Sequence, residues 1–295
     1  MKTLSSTILT LLIFTTFTQA QASLFKSTDW LKERLHDDNL VVFNIGPRDI
    51  YAEKHIPGAV FIQSSEFTVD SEAESIVYDL PSVEQLTELF QSKGVNKGDT
   101  IILYVASNHI TTMTRLYYTL NYLGYGHNTF ILEGGMPLWE HEGNELTDVI
   151  PEIEPGNFSA KANPGLVVEI DKMKEHVQTS SVNIIDARAT VFYDGTQDSM
   201  GKKGHIPGAK SIPFSSVWNE GPNGSYLLKD AAELRTMFSA QGISEKDQPF
   251  IVYCHIGMQA TSIFTAAKSI GLNPVLFDGS MHAWGHENGN PVEVD

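Results

Sequence analysis

The sequence predicts two α/β domains in tandem, each a parallel sheet with helices on both faces. Three observations carry that prediction. The pentapeptide His55-Ile-Pro-Gly-Ala59 recurs unchanged as His205-Ile-Pro-Gly-Ala209. A Met-x-x-Trp-x-His-Glu pattern stands at Met136, Trp139, His141 and Glu142, and again at Met281, Trp284, His286 and Glu287. Between these marks, short apolar runs alternate with segments of helical spacing, in the same order in both halves. Such alternation means parallel strands joined by right-handed crossovers.

In the first half, Leu40–Asn44 and Ala59–Ile62 read as buried strands. Ser82–Lys93 has helical spacing at Leu86, Leu89 and Phe90, with Ser82 as N-cap and Glu84 in the first turn. Thr100–Val105 is a third strand, Thr112–Leu123 a helix closed by Gly124, and Thr129–Leu132 a fourth strand. The second half repeats the order. Val182–Asp186, Ala209–Ile212, Pro249–Tyr253 and Pro274–Phe277 are strands; Ala231–Gln241 and Ala260–Ile270 are helices ending near Gly242 and Gly271.

Residues 1–22 read as a secretory signal peptide: Lys2, a largely apolar Ile8–Phe17, and a small-x-small site at Ala20-Gln-Ala22. The apolar stretch is too short to span a bilayer. The expected domains are therefore 23–146 and 165–295, joined by a linker over 147–164 that holds Pro151, Pro155 and Pro164. A periplasmic or secreted location follows as an expectation. The formal charge of −16 repels phosphate backbones and anionic lipid. No nucleic-acid partner and no stable membrane association are expected.

The chain has one cysteine, Cys254, in the second half. It follows an apolar strand and precedes a helix, in the loop Tyr253-Cys-His-Ile-Gly-Met-Gln-Ala-Thr261. Ligand sites of open α/β sheets lie at the carboxyl ends of strands. The helix start and a curl of main-chain N–H groups favour an anion there, with Gly257 supplying positive φ. An exposed thiolate at the loop mouth, with its pKa lowered from about 8.5, is the expectation.

These motifs resemble the tandem-domain rhodanese family of sulfurtransferases. Cys254, Gly257 and Ala260 match its Cys-x-x-Gly-x-x-Ala loop; Asp186, Arg188 and Gly204-His-Ile-Pro-Gly-Ala209 match its second signature. The resemblance implies two rhodanese-like domains, the first catalytically silent. Val105 stands in the place of Cys254, and Asn44 and Gly46 in those of Asp186 and Arg188. It also implies a persulfide relay. Cys254 is the nucleophile, and His255, Ile256, Gly257, Met258, Gln259 and Ala260 form the substrate cradle. Asp186 and Arg188 read as loop support and donor binding, with a structural ion pair between them as the other, favoured reading. No cofactor and no metal are implied. The partners are a small sulfur donor and a thiol or cyanide acceptor, with a protein acceptor as a further option.

The loop also departs from the family. Thiosulfate-using members carry cations directly after the cysteine, where this chain has His255 and Ile256; an arginine six positions after the aspartate is replaced by Phe192. Ile256 and Met258 depart from the small polar loop of mercaptopyruvate-using members. A donor less anionic than thiosulfate, such as an organic persulfide, is the resulting expectation. His255, if protonated, would stabilise the thiolate; Lys202 and Lys203 are candidates for positive charge at the mouth. His55 and His205 read as structural, and His282 with His286 as an i,i+4 pair without the ligand spacing of a zinc site. A cysteine phosphatase or arsenate reductase would need an arginine where this loop has Ala260. A sulfur carrier without turnover remains the other reading.

Overall fold

The computed structural model describes residues 23–71, 76–199, 201–244, 249–287 and 289–295; the leader assigned to 1–22 lies outside them. Two parallel sheets form the frame. One runs Phe25–Lys26, Thr129–Leu132, Thr100–Val105, Leu40–Ile45, Val60–Ile62. The other runs Pro274–Leu276, Phe250–Tyr253, Ile184–Asp186, Ala209–Ser211, and Val167 bridges its Leu276 edge. The two orders are the same, as duplication requires. In each domain an antiparallel hairpin follows the edge strand, Val60–Ile62 or Ala209–Ser211: Val69–Ser71 with Ile76–Asp79, and Trp218–Glu220 with Tyr226–Leu228.

Apolar residues fall into three layers. One cluster packs Ile102, Tyr104 and Trp139 on the outer face of the first sheet, and another packs Ile251, Tyr253 and Trp284 on the outer face of the second. The third, between the sheets, is shared by both domains and joins Phe43, Leu103 and Leu116 to Val252, Phe264 and Leu276. Its centre is the contact between helix Ile110–Tyr122 and helix Ala260–Ser269. Tyr118 meets Phe264 edge-on at 5.1 Å, and the Thr114 and Thr261 hydroxyls lie 2.8 Å apart. Burying an aromatic ring such as Phe264 contributes about 1.5–3 kcal/mol. The domains therefore share a core rather than merely touch.

The linker is strapped to the first domain. The N–H groups of Gly156, Phe158, Lys161 and Asn163 donate to the carbonyls of Gln91, Val95, Leu123 and Tyr122 at 2.7–3.0 Å. Phe158 is buried against Phe90 and Tyr125. Helix Ile170–Thr179 is absent from the sequence expectation. Its apolar stripe is sparse, and only Met173 is fully buried. The N-cap expected at Ser82 is present, and Gln85 completes a reciprocal capping box.

His55 and His205 do the structural work expected of the repeated turn. Each ring stacks on a tyrosine, Tyr51 or Tyr193, and its Nδ1 meets that tyrosine's carbonyl at 2.7 or 2.8 Å. Each backbone bridges to the segment closing its domain, at Thr147 or Glu293.

Candidate active site

Cys254 is the first residue after strand Phe250–Tyr253. The strand end is fixed by a polar lock. Tyr253 donates to Asp186 Oδ2 at 2.6 Å and accepts the Ile206 N–H at 3.0 Å. Arg188 closes the lock from the other side, with Nε 3.0 Å from both Asp186 oxygens and Nη2 2.6 Å from Oδ2; Nη2 also donates to Gly204 O. Asp186 and Arg188 are wholly buried. The silent domain keeps a neutral version: Asn44 donates to Tyr104, whose hydroxyl accepts the Ile56 N–H.

This geometry makes Arg188 one half of a buried ion pair, the structural reading weighed beside donor binding. Its Nε and Nη2 face its own carboxylate and a carbonyl, its Nη1 is buried without a hydrogen-bond partner, and it does not line the cavity beside Cys254. Burying a charge demands a partner, and Asp186 supplies it at two residues' distance. Lys202 and Lys203 are likewise absent from that cavity; Lys202 reaches Asn290 O.

The loop curls around the sulfur. The main-chain N–H groups of Ala260, Ile256, Gln259 and, least, Gly257 favour the Cys254 thiolate. Gly257 has φ +81°, and a Cβ there would lie 2.2 Å from Asp278 Oδ1, so only glycine fits. Ser280 latches the curl from below. Its Oγ accepts the N–H of Cys254 at 3.0 Å and of Gly257 at 3.1 Å, and donates to Phe277 O. Met281 and His282 N–H donate to the carbonyls of Cys254 and His255. In the silent copy the Ser280 position is Gly135, packed against Val105.

Two expectations about the thiol are corrected. Cys254 has no exposed surface, and its pKa is raised, not lowered. Burial is the larger effect; the four amides pull the other way without overcoming it. The sulfur lies in an apolar wall. His255 is corrected too. Burial first, and Arg188 second, lower its pKa, so the neutral ring is favoured. Its Nδ1 meets Ser199 Oγ at 2.5 Å and its ring stands edge-on to Phe192 at 4.7 Å. Phe192, where an arginine was looked for, thus packs the imidazole.

Cys254 borders a cavity of about 320 Å³. His255, Ile256, Met258 and Gln259 line it from the second domain, and Ser64, Tyr78, Thr111 and Thr112 from the first. Gly257 and Ala260 contribute amides from behind rather than lining. The first domain thus supplies the hydroxyl half of the site. It also supplies Arg115, whose Nη1 and Nη2 lie 2.5 and 2.8 Å from the two oxygens of Asp278, while Nη2 also donates to Tyr78 O.

Arg115, Asp278, Ser280 and Tyr78 were not singled out from the sequence. One signal was available for Ser280. Aligning the repeats sets Gly279-Ser280-Met281 against Gly134-Gly135-Met136, so the copy with the thiol gains a hydroxyl. Nothing local marks Arg115, because its partner lies 163 positions away.

The sequence model of the Rhodanese-like domain matches residues 27–142 and 169–287. The chain is 29% identical to 3-mercaptopyruvate sulfurtransferase of Escherichia coli, over 91% of this chain and 97% of that protein. It is 30% identical to the sulfur carrier protein TtuD of Thermus thermophilus, over 92% and 97%. The crystal structure of SseA from Escherichia coli, described as a 3-mercaptopyruvate sulfotransferase, superposes with a TM-score of 0.75 at 28% identity, covering 88% of this chain and 98% of that one.

Proposed function

The chain belongs to the rhodanese family, in two copies of its domain, and on that premise we propose that it is a sulfurtransferase carrying sulfane sulfur on Cys254. The observation that carries this reading is a thiol at the carboxyl end of a strand that borders a cavity and whose thiolate is favoured by the loop amides of Ala260, Ile256 and Gln259. A persulfide needs such donors. Its outer sulfur bears negative charge at neutral pH, and preorganised N–H groups stabilise charge that a buried site otherwise disfavours.

The Cys254 thiol first loses its proton. The thiolate attacks the outer sulfur of a persulfide, or the thiol sulfur of 3-mercaptopyruvate, and the donor's bond to that sulfur breaks with the electron pair leaving on a thiolate or on the pyruvate enolate. An S–S bond forms at Cys254. An acceptor thiolate or cyanide then attacks the outer sulfur, and Cys254 departs as the thiolate.

The donor is less anionic than a dianion such as thiosulfate: 3-mercaptopyruvate or an organic persulfide. Support comes from the lining, whose first-domain side offers the hydroxyls of Ser64, Tyr78, Thr111 and Thr112 and no unpaired cation among the described residues. A leader over residues 1–22 would place this chemistry in the periplasm or outside the cell. Similarity to a sulfur carrier protein supports a second reading, in which Cys254 hands its sulfur to a protein.

Intact mass spectrometry after incubation with each donor tests the proposal. A gain of one sulfur on the wild type and none on Cys254→Ser is expected, with turnover to a small thiol or cyanide. Loading without turnover to any small acceptor favours the carrier. No loading from any sulfane donor removes both.

A further inference from the structure

The loop of the silent domain also borders a cavity, one walled mostly by the second domain. Tyr104 and Tyr253 are counterparts, since each hydroxyl accepts the N–H of the isoleucine in the repeated turn. Beside the Cys254 loop lies the sulfur cavity, bordered by Ser64 and by Tyr78 of the first domain's hairpin. Beside the silent loop lies a cavity of about 520 Å³, bordered by the second domain's hairpin through Trp218, Glu220 and Tyr226. Phe214 lines it, at the repeat position of Ser64. Thr111 and Gln259 belong to both cavities.

The larger cavity has its own chemistry. Trp218 and Glu220 are two residues apart on one strand and so share a face; Tyr226 is opposite Glu220 in register. Phe214 and Ile110 add apolar wall. Glu220 is the single charged side chain lining the cavity among the described residues, and the whole chain carries −16. Aromatic faces and a carboxylate attract an organic cation, and the protein's field excludes an anion.

We propose that this cavity is a second binding site, for an organic cation with a flat apolar body, sharing a wall with the sulfur cavity. It does not depend on the chemistry assigned to Cys254. Any molecule held there lies beside Gln259 and Thr111, the residues that also face the sulfur site.

Isothermal titration calorimetry with benzyltrimethylammonium tests it, using benzenesulfonate as the anionic counterpart. The cation is expected to bind wild type and Cys254→Ser alike, and the sulfonate not to bind. Glu220 is exposed, so Glu220→Gln leaves the fold intact; it should weaken the cation about tenfold or more. Trp218→Leu should weaken it further. The proposal is overturned if the cation does not bind, if the sulfonate binds equally, or if Glu220→Gln has no effect. Because Cys254→Ser retains the site, its failure is distinguishable from failure of sulfur transfer.

Discussion

Arg115 of the first domain and Asp278 of the second form a buried bidentate ion pair, at 2.5 and 2.8 Å, beneath the cysteine loop. A Cβ on Gly257 would lie 2.2 Å from Asp278 Oδ1 and 3.3 Å from Arg115 Nη1. The silent domain therefore sets the floor of the loop that carries the thiol. Sulfurtransfer by an isolated second domain would lack this floor and the hydroxyl half of the cavity.

Breaking that pair is the first test. Arg115→Met leaves Asp278 as an uncompensated buried charge, which should cost about 3–5 kcal/mol in chemical denaturation. Removing both charges with Arg115→Met and Asp278→Leu should cost less than the sum of the single changes. Sulfur loading should be impaired in all three variants, although Arg115 lies in the domain without the cysteine.

Gly257→Ala should leave the sheets intact and abolish most sulfur loading. Its φ of +81° disfavours a side chain, and the added methyl meets the carboxylate of Asp278. Circular dichroism should be unchanged while kcat/KM falls at least about a hundredfold, because the loop amides move away from the sulfur. Full activity in this variant would show that the amide ring does not act in transfer.

Ser280→Gly recreates the silent copy at its counterpart position. It strips the acceptor from two buried N–H groups, those of Cys254 and Gly257. A loss of about 1–3 kcal/mol in stability is expected. The rate of thiol alkylation should change with it, since the loop loses its latch.

The Cys254 pKa is raised by burial, which sets the pH dependence. The reactive thiolate forms only as pH rises through that raised value. Loading by an uncharged donor should therefore keep increasing past the ordinary thiol value of about 8.5. The folded state favours the thiol, so folding stability should decline as pH climbs above the unfolded value; Cys254→Ala should remove that decline. Alkylation rates and melts across an alkaline series measure both.

His255 gives the opposite limb. Its pKa is lowered in the fold, as are those of His176 and His282, each mainly by burial. Below about 6.5 the unfolded chain takes up these protons first, so stability falls as pH drops. His255→Gln should flatten that fall in thermal melts between neutrality and pH about 5. An unchanged slope would rule out a half-buried neutral imidazole.

The sequence by itself determined the two-domain α/β fold. Thr100–Val105 and Thr129–Leu132 are strands with the bounds expected, and Ser82 caps its helix. These features are local: apolar run length, a capping hydroxyl and glycine stops act within a few residues. The position of Cys254 at a strand end before a helix was legible for the same reason. The Asp186–Arg188 pair, two positions apart, was legible too. Tertiary structure alone decided the thiol's burial and the arrival of Arg115, Tyr78 and Thr111 from the other domain. Desolvation and ion pairing depend on what surrounds a group in space. Arg115, Tyr78 and Thr111 reach the cysteine loop from positions more than a hundred residues away along the chain, where no periodicity or spacing can register them.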